Sequence, residues 1–115
     1  MDVFVCLYCV APNRHPQEIL DARRAVQFVR KNAEEFGIHP EKVGVMGSSA
    51  GGHLTAATGT LWHMKEIYDA VPMEYGYNKP AGMMLGYALV SGNEEYGHKQ
   101  CFHNLFGTDA DPAVF

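Results

Sequence analysis

The chain has 115 residues, 47% of them apolar and 19% charged, an ordinary composition for one globular domain with a core of its own. Its net charge of −4 gives no electrostatic reason for a nucleic-acid or anionic-membrane partner. No apolar run approaches the roughly 20 residues of a membrane span. Met1-Asp2 leads straight into an apolar stretch and leaves no room for a signal peptide; that says nothing of export if the native N-terminus lies further upstream, so the compartment stays unknown.

In chain order, residues 3 to 8 (Val3-Phe4-Val5-Cys6-Leu7-Tyr8) are apolar without alternation, which predicts a central parallel strand covered on both faces. Cys6-x-x-Cys9 has a redox or metal spacing, but positions three apart on a strand point to opposite faces, and buried structural cysteines are expected instead. With Cys101 the cysteines number three, so a full disulfide framework is excluded. Asn13 to Pro16 read as a polar loop with Pro16 placed to open a helix. Ile19, Ala22, Val26, Val29, Ala33 and Phe36 then recur at steps of three and four, one helical face that Gly37 ends. Arg23, Arg30, Lys31, Glu34 and Glu35 mark the opposite, solvated face, with Arg30–Glu34 and Lys31–Glu35 one turn apart.

A second strand is predicted over Val43 to Met46, followed by a helix from about Ala50 to about Trp62 whose small residues allow close packing on a sheet. Glu66 to Pro80 reads as an irregular connection and Gly82 to Val90 as a third strand. Strand, helix, strand, helix, strand is the rhythm of an α/β fold with a parallel sheet. No internal repeat, low-complexity segment or domain boundary interrupts it.

Between the second strand and its helix lies Gly47-Ser48-Ser49-Ala50-Gly51. Gly-x-Ser-x-Gly on a strand-turn-helix is the nucleophile elbow, which holds a serine on a tight, strained bend with its hydroxyl exposed. Gly47 and Gly51 are expected to keep side chains out of the crowded turn. The helix that follows points its N-terminal N–H groups toward the serine, and the N–H of Ala50 is the oxyanion donor to name.

Gly47-Ser48-Ser49-Ala50-Gly51-Gly52-His53-Leu54 resembles the elbow of the α/β-hydrolase esterases and lipases, closest to the bacterial acetyl-ester and carbohydrate-ester hydrolases. Val3 to Tyr8 with Val10-Ala11-Pro12 is similar to the family's strand and Pro-containing loop. Pro16 to Phe36 resembles the helix before the elbow, and Gly37-Ile38-His39-Pro40 its Gly-Ile-Asp-Pro turn. Glu95 to Lys99 and Asn104 to Gly107 resemble a later segment. Cys9 stands where the family has Arg, which puts the loop's anchoring in doubt; His39 stands where Asp is usual.

The resemblance implies the centre of an α/β-hydrolase domain over residues 1–115, truncated at both ends, with Ser49 as nucleophile and Ala50 as oxyanion donor. The family's His-Gly-Gly-Gly motif would lie upstream and its triad acid and histidine downstream. It implies hydrolysis of carboxylic esters through an acyl-enzyme on Ser49. Short acyl esters, acetyl esters on carbohydrate among them, are the substrates expected, with no cofactor. A non-catalytic relic or interaction module that retains the elbow is the alternative.

His53, four residues past Ser49 on the same helix, is expected to be structural rather than the general base. His98 and His103 are read as packing or surface residues, and His15, His39 and His63 as solvated. Asp109 and Asp111 are read as turn residues rather than the triad acid. Tyr75, Tyr77, Met83, Met84 and Tyr87 could line an acyl or sugar pocket, but core or surface packing is the simpler reading. No phosphate loop or zinc-ligand cluster is present in the sequence.

Overall fold

The computed structural model describes residues 1–70, 72–91, 93, 95, 97–107 and 109. The predicted helix forms as two pieces, α1 (Gln17–Lys31) and α2 (Ala33–Phe36). The break falls at Asn32, whose side-chain amide donates to the Phe28 carbonyl at 2.8 Å and so competes with the helical ladder. Ile19, Val26, Val29 and Ala33 are all buried, as their spacing required. Gly37 ends α2 in the left-handed region, φ 67°. Its N–H donates to the Glu34 carbonyl and that of Ile38 to Ala33, the two bonds of a Schellman stop.

Two strands form, β1 (Val45–Ser48) and β2 (Met83–Gly86), pairing in parallel with Val45 opposite Met83 and Ser48 opposite Gly86. Between them run α3 (Ala50–Thr60) and α4 (Lys65–Ala70), the latter where an irregular connection was expected. α3 lies across both strands and against α1. Ile19 of α1 and Leu54 and Ala57 of α3 make the core cluster, with Tyr8, Leu20, Ala22 and Leu61 packed around it. A further helix, α5 (Lys99–Phe106), was not read from the sequence at all. Its start is capped by His98, whose ring accepts from the Cys101 N–H. No helix among the described residues is long and apolar enough to cross a membrane.

Residues 3 to 8 are the main correction. They form no strand: the sheet among the described residues has two strands, β1 beside β2, and neither pairs with them. A strand exists only where a neighbour completes its hydrogen bonds, and periodicity cannot reveal whether one is there. Val3, Val5 and Leu7 are exposed, Leu7 at 93%. The run is held at its ends instead. Phe4 packs on Phe36 with ring centroids 4.8 Å apart, Tyr8 joins the core, and the Cys9 N–H donates to Asp21 at 2.9 Å. The cysteines are free, with Cys6 exposed and Cys9 and Cys101 half-buried, so the expectation of buried cysteines fails for Cys6.

The helix face expected to be solvated is also corrected. Arg23 is 0% exposed. It donates through Nη2 to the Leu61 carbonyl, while its Nε and Nη1 are buried without a hydrogen-bond partner. Burial pushes its pKa down to about 10, opposed by its electrostatic interaction with Tyr68. A folded-state pKa near 10 still leaves the group charged at neutral pH, so the desolvation cost is present there in full. A buried charge without a counter-ion is often replaced by an apolar side chain of similar volume at no cost or with a gain. Arg23→Met is therefore expected to raise unfolding free energy by about 1–3 kcal/mol, read from urea midpoints at neutral pH. Leu61's carbonyl would keep the N–H of Met64 at 3.2 Å. A loss of stability in Arg23→Met would show that the guanidinium is better satisfied than its two orphaned nitrogens indicate.

Candidate active site

The elbow forms between β1 and α3. Ser49 has φ 53° and ψ −120°, a region that costs a non-glycine residue about 1–3 kcal/mol and persists only where surroundings impose it. Here they do. The Ser49 N–H donates to the Gly86 carbonyl at 2.9 Å, and its carbonyl accepts from His53 N–H at 3.1 Å and Leu89 N–H at 3.4 Å. The serine is thus tied to the end of β2, to the first turn of α3 and to the segment after β2, while remaining exposed to solvent. Ala50 is the first residue of α3, so its N–H has no partner within the helix and lies at the positive end of the helix dipole.

The glycines divide differently from the expectation. A Cβ on Gly47 would sit 2.3 Å from the Gly51 carbonyl oxygen and 2.8 Å from Thr55 Oγ1, so Gly47 does let β1 and α3 meet. Gly51 would meet nothing within 4 Å, and the expectation that its missing side chain relieves crowding is not met in this chain. Its neighbour Gly52 carries that role. A Cβ there would fall 2.7 Å from Ala88 Cβ and 2.9 Å from Ala88 Cα, which brings α3 against the segment after β2. The Gly-Gly doublet opening a helix was the signal that the sequence offered for this.

His53 projects from α3 and its Nδ1 lies 2.7 Å from the Leu89 carbonyl, so it donates there. Its ring meets Phe102 of α5 edge-on at 5.8 Å. That is a bracing role, as expected. His15 pairs with Glu18 at 2.8 Å and its ring packs on Phe106 at 5.3 Å. His39 accepts from the Glu41 N–H, and His63 lies edge-on to Trp62. Among the described residues no imidazole hydrogen-bonds Ser49. Asp109 pairs with Arg14 at 3.2 Å, both side chains exposed, while Asp111 falls outside the described residues. The described residues contain no group of three or more His, Cys, Asp or Glu placed to hold a metal ion.

Beside the elbow, a cleft of about 270 Å³ opens between Ala50, His53 and Leu54 of α3, the loop from Cys9 to Arg14, and Cys101, Phe102 and Leu105 of α5. His15 N–H donates to the Leu105 carbonyl at 3.0 Å and ties that loop to α5. The loop's inner end is anchored by Asp21, which accepts from Cys9 and, at 3.0 Å, from Gln17. Desolvation alone would raise the Asp21 carboxyl. The Cys9 thiol and N–H, Gln17 and the Arg24 charge bring it net below its ordinary value. The same contact, with some burial, raises the Cys9 thiol, so Cys9 stays protonated at neutral pH rather than a reactive thiolate. Asp21 thus does the anchoring that the departure at Cys9 had put in doubt.

A strained serine between a parallel strand and a helix N-terminus, with a cleft beside it that Ala50 and His53 line, is the architecture of an α/β-hydrolase of the esterase kind. Residues 8–93 match the BD-FAE family, and the chain belongs to that family. It is 33% identical over 97 residues to endo-1,4-beta-xylanase B of Butyrivibrio fibrisolvens, covering 83% of this chain and 15% of that protein. It is 32% identical over 96 residues to the acetylxylan esterase of Xylanibacter ruminicola, covering 82% and 18%. The fold matches the crystal structure of an acetyl ester-xyloside bifunctional hydrolase from Caldicellulosiruptor lactoaceticus with a TM-score of 0.78 and 34% identity, over 93% of this chain and 39% of that one. The chain therefore spans less than a fifth of these curated relatives and well under half of the solved one.

Proposed function

We propose that this chain is the nucleophile-bearing centre of a serine carboxylic-ester hydrolase for short acyl esters, with acetyl esters on carbohydrate as the substrate class. The observation that carries the reading is Ser49 at φ 53° and ψ −120°, exposed on a bend whose next N–H opens α3. In the complete site, Ser49 Oγ attacks the ester carbonyl and the alkoxide oxygen so formed takes the Ala50 N–H. Collapse expels the alcohol and leaves an acyl-serine, which water hydrolyses to free acid and serine. The general base, its acid partner and a second oxyanion donor come from outside these residues. Carbohydrate esters are favoured because relatives bear the names of an acetylxylan esterase and an acetyl ester-xyloside hydrolase.

A second reading, a non-catalytic remnant, rests on one observation: no described imidazole reaches Ser49. The two readings separate on sequencing the coding DNA beyond both ends and expressing the longest open frame. With a downstream acid and histidine in that frame, p-nitrophenyl acetate is hydrolysed and Ser49→Ala lowers kcat by a factor on the order of 10⁴ or more. Turnover that Ser49→Ala leaves intact sinks the nucleophile assignment. The 115-residue chain alone is expected to match its own Ser49→Ala variant, since a serine without a base stays a neutral hydroxyl. In-frame stops near both ends, together with inactivity, would favour the remnant.

A further inference from the structure

At the far end of α3 from Ser49, three aromatic rings form a cluster that the ester chemistry does not use. α3 is 11 residues long, which at about 1.5 Å per residue puts the cluster on the order of 16 Å from the elbow. Tyr75 stacks on Tyr68 with centroids 5.4 Å apart and planes 25° apart, and meets Trp62 at 5.4 Å with planes 59° apart.

The two supporting rings are fixed from below. The Tyr68 hydroxyl donates to Asn78 Oδ1 at 2.7 Å and accepts from the Gly76 N–H at 2.9 Å. Asn78, fully buried, donates in turn to the Trp62 carbonyl at 3.3 Å. Lys79 Nζ sits 4.8 Å over the Trp62 ring. Tyr75 nevertheless remains 70% exposed, although burying a ring of that size is worth about 1.5–3 kcal/mol. The fold thus spends a buried polar network on holding an aromatic platform whose top ring faces water.

The surroundings identify the class of ligand. Beside the rings lie the Lys65–Asp69 ion pair at 2.6 Å and the exposed side chains of Glu74 and Lys79. The platform offers a flat aromatic face with charged side chains nearby. It suits a pyranose, whose axial C–H groups carry partial positive charge toward the negative face of an aromatic ring, while its hydroxyls meet charged and polar neighbours.

We infer that Tyr75, supported by Tyr68 and Trp62, binds β-linked pyranose oligosaccharides at a surface separate from the Ser49 site. The choice of sugar rests on the carbohydrate-ester reading above; the platform itself does not. Because the sequence has one tryptophan, intrinsic fluorescence reports this place directly. Titrating the 115-residue chain with xylohexaose is expected to give a saturable change in Trp62 emission, unaltered by Ser49→Ala. Tyr75→Ala, with its far-UV circular dichroism unchanged, is expected to weaken binding by about tenfold or more; Tyr75→Phe is expected to retain it. No saturable change in the wild-type chain, or equal affinity in Tyr75→Ala, overturns the inference. Either result is independent of ester turnover, so loss of the platform and loss of the esterase reading are told apart.

Discussion

Gly47→Ala is expected to cost about 3 kcal/mol or more of stability and to dismantle the elbow. The new methyl would lie 2.3 Å from the Gly51 carbonyl oxygen and 2.5 Å from its carbon, and both are backbone in the first turn of α3. A flexible side chain could rotate away; a helix backbone can move only by lifting off β1. Lifting it would strain the bonds that hold Ser49 to Gly86 and Leu89 and expose Leu54 and Ala57 of the core. Gly51→Ala is the matched control. Its Cβ meets nothing within 4 Å and its backbone is not left-handed, so exchanging glycine for a good helix former should gain up to about 1 kcal/mol. Urea denaturation of the two variants checks both arms. Equal losses would show that the crowding is not confined to Gly47.

Arg30→Ala is expected to destabilise the chain by about 3–5 kcal/mol. Its guanidinium donates to the carbonyls of Pro40 at 3.0 Å, Gly76 at 3.0 Å and Tyr77 at 2.8 Å, and to Glu41 at 2.9 Å. It also lies 4.6 Å over the Tyr77 ring. One side chain of α1 thereby joins the turn before β1 to the connection before β2, alongside the bond from the Ala81 N–H to the Val43 carbonyl at 2.8 Å. Three of its four partners are backbone carbonyls that would lose a charged donor. The Glu41 component contributes little, because that carboxylate is largely exposed and water screens it. Glu41→Ala should therefore cost under about 1 kcal/mol. Arg30→Lys should fail to rescue, since a single ammonium cannot span the forked arrangement. Wild-type urea midpoints in Arg30→Lys would show that charge alone suffices. Faster proteolysis between Pro72 and Pro80 in Arg30→Ala would locate the loss.

The buried face of α1 and its stop at Gly37 were legible because each depends on local spacing or one residue's conformational freedom. Strand positions were legible to within two residues at β1, predicted over Val43 to Met46 and found over Val45–Ser48. α5 escaped because Lys99 to Phe106 is a short segment of four polar and four apolar residues, and its helicity is set by His98 capping its start and by packing against His15 and His53. Tyr75 and Tyr77 stand two residues apart, yet Tyr77 covers the Arg30 guanidinium while Tyr75 faces water. Nothing in their spacing separates them.

What the sequence by itself determined about this protein is the elbow, the α/β order and the family, because Gly47, Ser49 and the small residues after them answer a local steric demand that few other residues meet. Tertiary structure alone decided the rest. It gave Arg23 the Leu61 carbonyl and Arg30 the carbonyls of Pro40, Gly76 and Tyr77; the two lie four residues after Ile19 and Val26, on the buried side of α1 and not on the solvated face expected for them. It left residues 3 to 8 without a ladder despite their strand-like composition, and assigned the close approach to Gly52 rather than Gly51. The physical reason is the same in each case: burial and hydrogen bonding are properties of a partner, and these partners lie from 10 to about 50 positions away in the chain.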